Sequence, residues 1–266
     1  MTDCYTFHAG KLPLLVSIPH DGRKVSADIE PLMSVAGKSL PDTDWHVTRL
    51  YSFARDLGAS IISANFSRYV IDLNRPADDA ALYEGQLQTG LCPLRTFSGE
   101  DIYDSEVTID LADRVARYWQ PYHVKIATVL AAIREQHGYA LLWDAHSIAS
   151  RVPSLFDGEL PVLNLGTWGG RSCDAQVAEA VLNVATISAY DVAFNQRFQG
   201  GYITRHYGRP DANVHAIQLE LSQRAYMDEA TGYFDKHRGS QLSDTIAAML
   251  QTYTKTAAEK AAIMRR

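Results

Sequence analysis

Short apolar runs that stop abruptly at polar residues restrict the fold of this 266-residue chain more than any other feature. One run covers Leu14–Ile18 and stops at Pro19 and His20, and another covers residues 139–143 and stops at Asp144. A short apolar run of this kind predicts a strand that is buried on both faces, as in the centre of a parallel sheet. Helices are therefore expected to cover both faces of the sheet.

The rest of the chain alternates between strand and helix patterns. Pro121 lies inside the longest helical pattern and should kink or split it. No repeat, low-complexity tract or linker divides the chain, so we predict one α/β domain over residues 1–266, with a mixed, largely parallel central sheet flanked by helices. Further strands are predicted at residues 59–64, 67–73, 161–165 and 216–221, and helices at 43–57, 107–137, 171–185 and 240–264.

Composition and charge exclude several classes of function. The net charge of −6 argues against a nucleic-acid or anionic-membrane binder, because such proteins need a basic face. No apolar stretch reaches the roughly 18 residues that a membrane span requires, and the first 15 residues lack the apolar core of a signal peptide. The three cysteines are far apart and form no CxxC pair, which predicts a reducing, cytoplasmic location rather than a disulfide framework.

Two predicted strand ends carry a histidine beside an aspartate and a small residue. His20 lies in Pro-His-Asp-Gly, and His146 lies in Asp-Ala-His-Ser. A single histidine at a strand end is usually a hydrogen-bonded loop residue, and the repeated context is what favours a pair of ligands. Ligands gather beyond the carboxyl ends of parallel strands, so the two side chains are expected to meet. Two imidazoles and one carboxylate are the usual protein ligands of a catalytic zinc.

The carboxylate ligand should come from the densest acidic segment, Asp-Thr-Asp-Trp-His. Asp44, at the start of a predicted helix, could reach the strand ends. Asp42 could instead cap the helix or orient a ligand, and His46 is a competing ligand that the helix turns away from Asp44. Asp144 could orient the imidazole of His146. The expected cofactor is one divalent metal ion, for which zinc suits these ligands and cobalt, manganese or iron are alternatives.

Glu220 is the candidate general base. In the predicted strand at residues 216–221, the alternation puts Gln218 and Glu220 on one face and the aliphatic side chains on the other. A glutamate among apolar neighbours is costly to bury unless it is paired or near a cation. Beside a metal it could take a proton from water and pass it to a leaving nitrogen. The alternative is an edge strand with a solvent-facing glutamate.

An asparagine and an arginine follow another predicted strand. Asn74 and Arg75 come directly after residues 67–73, and a guanidinium group suits a bidentate contact with a carboxylate. A surface salt bridge is the alternative for Arg75. Residues 197–209 form a glycine-containing loop with three arginines, which could be a lid or an exposed turn. The sequence contains no GxSxG elbow and no Walker A motif.

Five motifs, in order along the chain, resemble the N-formylglutamate amidohydrolase family from about residue 12 to residue 250. They are PHDG at 19–22, DTDW at 42–45, DLNRP at 72–76, WDAHS at 143–147 and LNLGT at 163–167. The resemblance implies hydrolysis of N-formyl-L-glutamate to formate and L-glutamate during histidine degradation. It also implies a phosphorylase/hydrolase-like fold similar to those of zinc carboxypeptidases, aspartoacylase and succinylglutamate desuccinylase.

The same resemblance implies roles for individual residues. The metal ligands would be His20, Asp44 and His146, with Glu220 as the general base. The Asn74 and Arg75 pair looks like the one with which carboxypeptidases hold a substrate carboxylate.

Other arginines are expected to help hold a small anionic N-acyl amino acid. Arg75, with Arg205 or Arg151, would clamp its two carboxylates. Members of the family often carry an arginine directly after Asp-Ala-His-Ser-Ile, whereas this chain has Ala149 there and Arg151 two residues later.

A tight acyl pocket near Tyr202 or Phe194 is expected to exclude groups larger than formyl. Two alternatives stay open at this point. One is a related acyl-amino-acid or peptide hydrolase with the same metal, and the other is a non-catalytic metal- or ligand-binding protein on the same scaffold.

Overall fold

A seven-stranded mixed sheet forms the centre of the computed structural model, which describes residues 4–81 and 89–264. The strands are β1 (Tyr5–His8), β2 (Leu14–Ile18), β3 (Ser60–Ala64), β4 (Ala140–Ile148), β5 (Leu163–Gly166), β6 (Val192–Phe194) and β7 (Val214–Ser222). Their order in the sheet is β1-β3-β2-β4-β7-β5-β6.

Helices cover both faces of the sheet and bury a separate apolar core on each. The helices are α1 (Val35–Ser39), α2 (Val47–Leu50), α3 (Phe53–Leu57), α4 (Leu111–Arg114), α5 (Gln120–His137), α6 (Ala175–Thr186), α7 (Tyr202–Tyr207) and α8 (Lys236–Met264). On one face α6 packs against α8, with α2 and α3 beside α8, and on the other face α5 packs against β2 and β4. No helix in the described ranges is both long and apolar enough to cross a membrane.

The four central strands, β3, β2, β4 and β7, are parallel to one another. At the two sides of this group, β1 is antiparallel to β3, and β5 is antiparallel to β7 but parallel to β6. The carboxyl ends of the central strands therefore meet along one edge of the sheet. This architecture confirms the predicted α/β class with a mixed, largely parallel sheet flanked by helices. It also confirms that Leu14–Ile18 is a central strand, buried along its whole length.

Two predicted elements are wrong. Residues 43–57 form two short helices instead of one. His46 has a φ of 65°, a left-handed conformation that a helix cannot contain, so the first helix begins only after it. Tyr51 and Ser52 separate this helix from the second. Residues 67–73 form turns instead of a strand, and backbone bonds such as Val70 N to Ser67 O replace those of a sheet ladder. The apolar side chains of this segment are nevertheless buried, so the pattern reported burial and not strand pairing.

Other elements differ from prediction at their ends. The strand predicted at residues 139–143 continues to Ile148, because β4 pairs with β7 over its whole length, and His146 therefore lies inside a strand. The predicted break near Pro121 takes the form of a π-helical turn at Val115–Trp119, between α4 and α5. The strands β1 and β6, of four and three residues, were not predicted.

Candidate metal centre and active site

His20, Asp44 and His146 meet at the edge where the parallel strands end. All three are buried, and one ligand atom from each lies within 4.8 Å of the other two. Nδ1 of His146 is 3.0 Å from Oδ2 of Asp44, and Nδ1 of His20 is 3.8 Å from the same oxygen. Two ring nitrogens and a carboxylate thus face a common point, which is the donor set of a catalytic divalent-metal site.

Hydrogen bonds to backbone groups fix the relative positions of these three residues. The N–H group of Asp44 donates to the carbonyl of His20 at 3.1 Å. The Asp44 carboxylate in turn accepts the N–H group of Ser147, next to His146 in β4, at 3.1 Å. The loop after β2, the start of the α2 region and the end of β4 are therefore tied together at the cluster.

Each imidazole has a second carboxylate on its other ring nitrogen. Oδ1 of Asp72 lies 2.8 Å from Nε2 of His20, and Oδ2 of Asp144 lies 3.2 Å from Nε2 of His146. Such partners orient a ligating imidazole and make it more basic. Asp144 was predicted from the sequence to orient the imidazole of His146. Asp72 was missed, although it opens the DLNRP motif, because nothing in the sequence links it to His20.

The titration of the cluster favours an ionised Asp44. Burial acts to raise the pKa of this carboxyl, but a hydrogen bond from His146 and the nearby imidazoles and Arg68 hold it below its usual value. Burial, assisted by Arg68, lowers the pKa of His20. For His146 the lowering by burial is outweighed by Asp144 and Asp44, which hold its pKa well above the ordinary value.

The two competing ligands in the acidic segment point elsewhere. Asp42 accepts hydrogen bonds from the Tyr69 hydroxyl at 2.5 Å and from the Phe97 N–H group at 2.8 Å. Nε2 of His46 lies 2.9 Å from the carbonyl oxygen of Gly232. Of the acidic segment, Asp44 is the residue that the structure brings to the two histidines.

Glu220 lies in the interior strand β7, directly opposite His146 in the register of β4 and β7. The edge-strand alternative is therefore wrong, and Glu220 is 7% exposed. Gln218 lies on the same face, as predicted, and its Nε2 donates to Oε2 of Glu220 at 3.4 Å. Burial raises the pKa of Glu220 to about 8. Near pH 7, burial thus favours the protonated carboxyl, and the carboxylate formed when it ionises is more basic than an ordinary one.

One cavity opens onto the cluster and Glu220, and three arginines line it. Arg68 donates to Oδ2 of Asp72 at 2.7 Å and so balances the buried carboxylates. Arg75 donates to the Thr89 hydroxyl at 3.3 Å, and Arg197 donates through Nε to the Leu155 carbonyl at 2.6 Å. The cavity therefore combines a buried acidic cluster with guanidinium groups that suit an anionic ligand.

Two of the predicted substrate-binding arginines are not brought to this cavity. Arg205 donates through Nε to the Gly200 carbonyl at 2.7 Å, and Arg151 is exposed and paired with Glu159 at 2.8 Å. Arg197, from the same loop as Arg205, takes that place. Arg205 lies within the helix α7, whereas Arg197 lies in the loop before it, and the sequence alone did not reveal which arginine would line the cavity.

Asn74 lines the cavity, but its side chain is engaged with the protein. Its Oδ1 accepts the N–H group of Ile203 at 2.8 Å, and its Nδ2 donates to Oδ2 of Asp144 at 3.4 Å. Asn74 thus supports the carboxylate that orients His146 and anchors the first turn of α7.

The apolar wall of the cavity differs from the predicted acyl pocket. Tyr202 and Phe194 are not among the described residues that line the cavity. Its apolar lining comes instead from three loops and from the end of β4. The side chains concerned are Phe97, Ile148, Leu155 and Phe198.

Comparisons with known proteins identify the relatives of this chain. Residues 12–227 match the family model described as N-formylglutamate amidohydrolase. Proteins named N-formylglutamate deformylase from Pseudomonas putida and Pseudomonas aeruginosa are 50% and 48% identical to the chain, over 86% of its length and 87% of theirs. The crystal structure of N-formylglutamate amidohydrolase from Ralstonia eutropha JMP134 has a TM-score of 0.76 at 24% identity and covers 99% of both chains, which shows the same fold.

Proposed function

This chain belongs to the N-formylglutamate amidohydrolase family, and we propose that it hydrolyses N-formyl-L-glutamate to formate and L-glutamate with one divalent metal ion. The observation that carries the proposal is the content of a single cavity. A His-Asp-His cluster and a buried glutamate line it together with guanidinium groups. The first set suits hydrolysis of an amide bond, and the second suits a substrate with two carboxylates.

The proposed metal ligands are His20, Asp44 and His146. They fit a cation because their ligand atoms converge within 4.8 Å and because Asp44 is held as a carboxylate. Two nitrogens and one oxygen suit zinc, and cobalt, manganese or iron accept the same donors. When bound, a divalent metal increases the acidity of water and polarises the formyl oxygen.

Glu220 is the proposed general base. It takes a proton from the attacking water and delivers that proton to the amino nitrogen as the carbon–nitrogen bond breaks, so that formate and L-glutamate leave. Its position opposite His146 in the sheet keeps it beside the ligands. Its raised pKa makes it a stronger base than an ordinary carboxylate.

Arg75 and Arg197 are proposed to hold the two carboxylates of the substrate. Both line the cavity, and the hydrogen bond from Arg197 to the Leu155 carbonyl fixes its guanidinium at that wall. Holding both ends of the substrate would position its formyl carbon at the cluster. The apolar lining, including Phe97 and Ile148, would limit the size of the acyl group.

We assign the reaction to the end of a histidine degradation route in a reducing cytoplasm. Among the described residues, Cys4, Cys92 and Cys173 form no disulfide, which is compatible with such a compartment.

Rates for N-formyl-, N-acetyl- and N-succinyl-L-glutamate test the substrate directly. The highest kcat/KM is expected for the formyl compound. A preference for a larger acyl group would instead indicate a related acyl-amino-acid hydrolase.

A further inference from the structure

Three successive carbonyl groups beside the cavity are held by side chains and backbone from two helices. The segment Leu73, Asn74 and Arg75 lies outside every strand and helix, so its carbonyls need other partners. The Leu73 carbonyl lies 2.9 Å from Nε2 of His123, and the Arg75 carbonyl accepts the indole N–H of Trp119 at 2.8 Å. Between them, the Asn74 carbonyl accepts the N–H group of Tyr202 at 3.3 Å.

The two side chains from α5 and the turn before it act as one unit. The rings of Trp119 and His123 are stacked, with centroids 3.8 Å apart and an interplanar angle of 25°. Trp119 is the last residue of the π-helical turn, and His123 lies four positions later in α5. Wide turns of this kind occur frequently at functional sites. Here the turn presents two ring donors, side by side, to the backbone of the segment that carries Arg75.

The hydrogen bonds of His123 define its tautomer. Burial lowers the pKa of His123 to about 3, so the ring is neutral near pH 7 and has a single N–H group. The Leu73 carbonyl can only accept, so Nε2 carries the proton and donates it. The Tyr207 hydroxyl in α7 lies 3.0 Å from both Nδ1 and the backbone carbonyl oxygen of His123, and it shares its one proton between these two acceptors. The ring thus connects α7 to the backbone just before Asn74.

We propose that Trp119 and His123 are positioning residues that direct the Arg75 guanidinium toward the substrate carboxylate. The proposal rests on the proposed function, since it assumes that Arg75 binds a carboxylate of the substrate. Neither Trp119 nor His123 lines the cavity, so both act through the backbone of residues 73–75.

A double-mutant cycle of Trp119→Phe with Arg75→Ala tests this role. Trp119→Phe keeps an aromatic ring but removes the N–H donor to Arg75. We expect it to raise KM for N-formyl-L-glutamate about fivefold, as for the loss of one hydrogen bond, with kcat changed less than about twofold. In the Arg75→Ala background the same substitution should change KM by less than about twofold, because the group it positions is absent. If the Arg75→Ala protein turns over too slowly for KM to be measured, the Kd of L-glutamate, measured by calorimetry on all members of the cycle, replaces KM.

Two further substitutions separate positioning from a general loss of structure. Tyr118→Phe is the matched control, because Tyr118 lies on the same turn and its hydroxyl has no hydrogen-bond partner among the described residues. It should leave KM unchanged. His123→Leu should raise KM, whereas His123→Gln, which retains an N–H donor, should recover most of the loss.

Two results have different meanings. Equal KM effects of Trp119→Phe in both backgrounds, with an active wild type, would overturn the positioning role alone. Failure of the metal-loaded wild type to release formate would instead contradict the proposed function. This assay is done on the wild type before any variant is compared.

Discussion

The imidazole of His20 lies between two carboxylates, with Nε2 2.8 Å from Asp72 and Nδ1 3.8 Å from Asp44. Arg68 contacts the second oxygen of Asp72 at 2.7 Å. Burial acts to raise the pKa of Asp72, but His20 and Arg68 outweigh it and hold that pKa well below its usual range. An ionised Asp72 therefore accepts a hydrogen bond from the Nε2–H group of His20 and leaves Nδ1 of His20 on the side of Asp44.

Asp72→Asn should weaken metal binding about 10- to 100-fold, because the ring of His20 loses its orienting charge. The asparagine Oδ1 can still accept the N–H group of Asn74, a contact of 2.8 Å in the wild type, so the loop should persist. Metal titration of the metal-free protein measures the effect. Asp28→Asn, at an exposed ion pair with Arg117, is the control and should bind metal like the wild type. Unchanged affinity in Asp72→Asn would show that Asp72 does not support the site.

Glu220→Gln should retain the metal and lose about 10²- to 10⁴-fold in kcat, which is the usual contribution of a general acid–base group. The amide is nearly isosteric with the carboxyl but cannot accept the proton. Metal content and formate release should be measured on the same sample. Turnover at the wild-type rate would show that another group is the base.

Arg75→Ala and Arg197→Ala should each raise KM for N-formyl-L-glutamate about 10- to 100-fold, the effect of losing a charge-assisted hydrogen bond. Arg205→Ala and Arg151→Ala are matched controls, because neither residue lines the cavity. Steady-state kinetics of the four variants separates the two pairs. A large KM effect in Arg205→Ala with none in Arg197→Ala would reverse the assignment.

His123 should make the protein less stable in acid. Burial lowers its folded-state pKa from 6.5 to about 3, so between these values the unfolded chain binds a proton that the folded chain does not. The free energy of unfolding therefore falls as pH falls. From pH 7 to pH 5 this group should remove about 2 kcal/mol.

Urea denaturation of the wild type and His123→Gln at both pH values tests this expectation. The stability advantage of the wild type should shrink by about 2 kcal/mol at pH 5. His237→Gln, at an exposed side chain of α8, should show no such change. An advantage that is the same at both pH values would contradict the buried neutral imidazole.

The sequence predicts the fold class well because strands buried on both faces leave continuous apolar runs, as in Leu14–Ile18. It fails at residues 67–73, where the same burial occurs in turns. It also fails at His46, whose left-handed backbone delays the start of the predicted helix until Val47. Periodicity reports which side chains are buried, and it does not report which backbone groups are paired.

The site is predictable to a similar extent. His20 and His146 stand out because their local contexts match, and Glu220 stands out as a charge in an apolar strand. Asp72 and Arg197 do not, because their roles depend on contacts with residues far away in the chain. Arg197 reaches the cavity while Arg205 bonds to the Gly200 carbonyl, and that difference depends on where α7 begins.

Metal analysis and formate release, measured on one preparation with N-formyl-L-glutamate, test the proposed chemistry most directly. We expect one equivalent of divalent metal per chain, with formate and L-glutamate produced in equal amounts. Removing the metal should abolish this activity, and restoring it should recover the activity. A metal-loaded protein that releases no formate, or a metal-free protein that releases it at the same rate, would contradict the proposal.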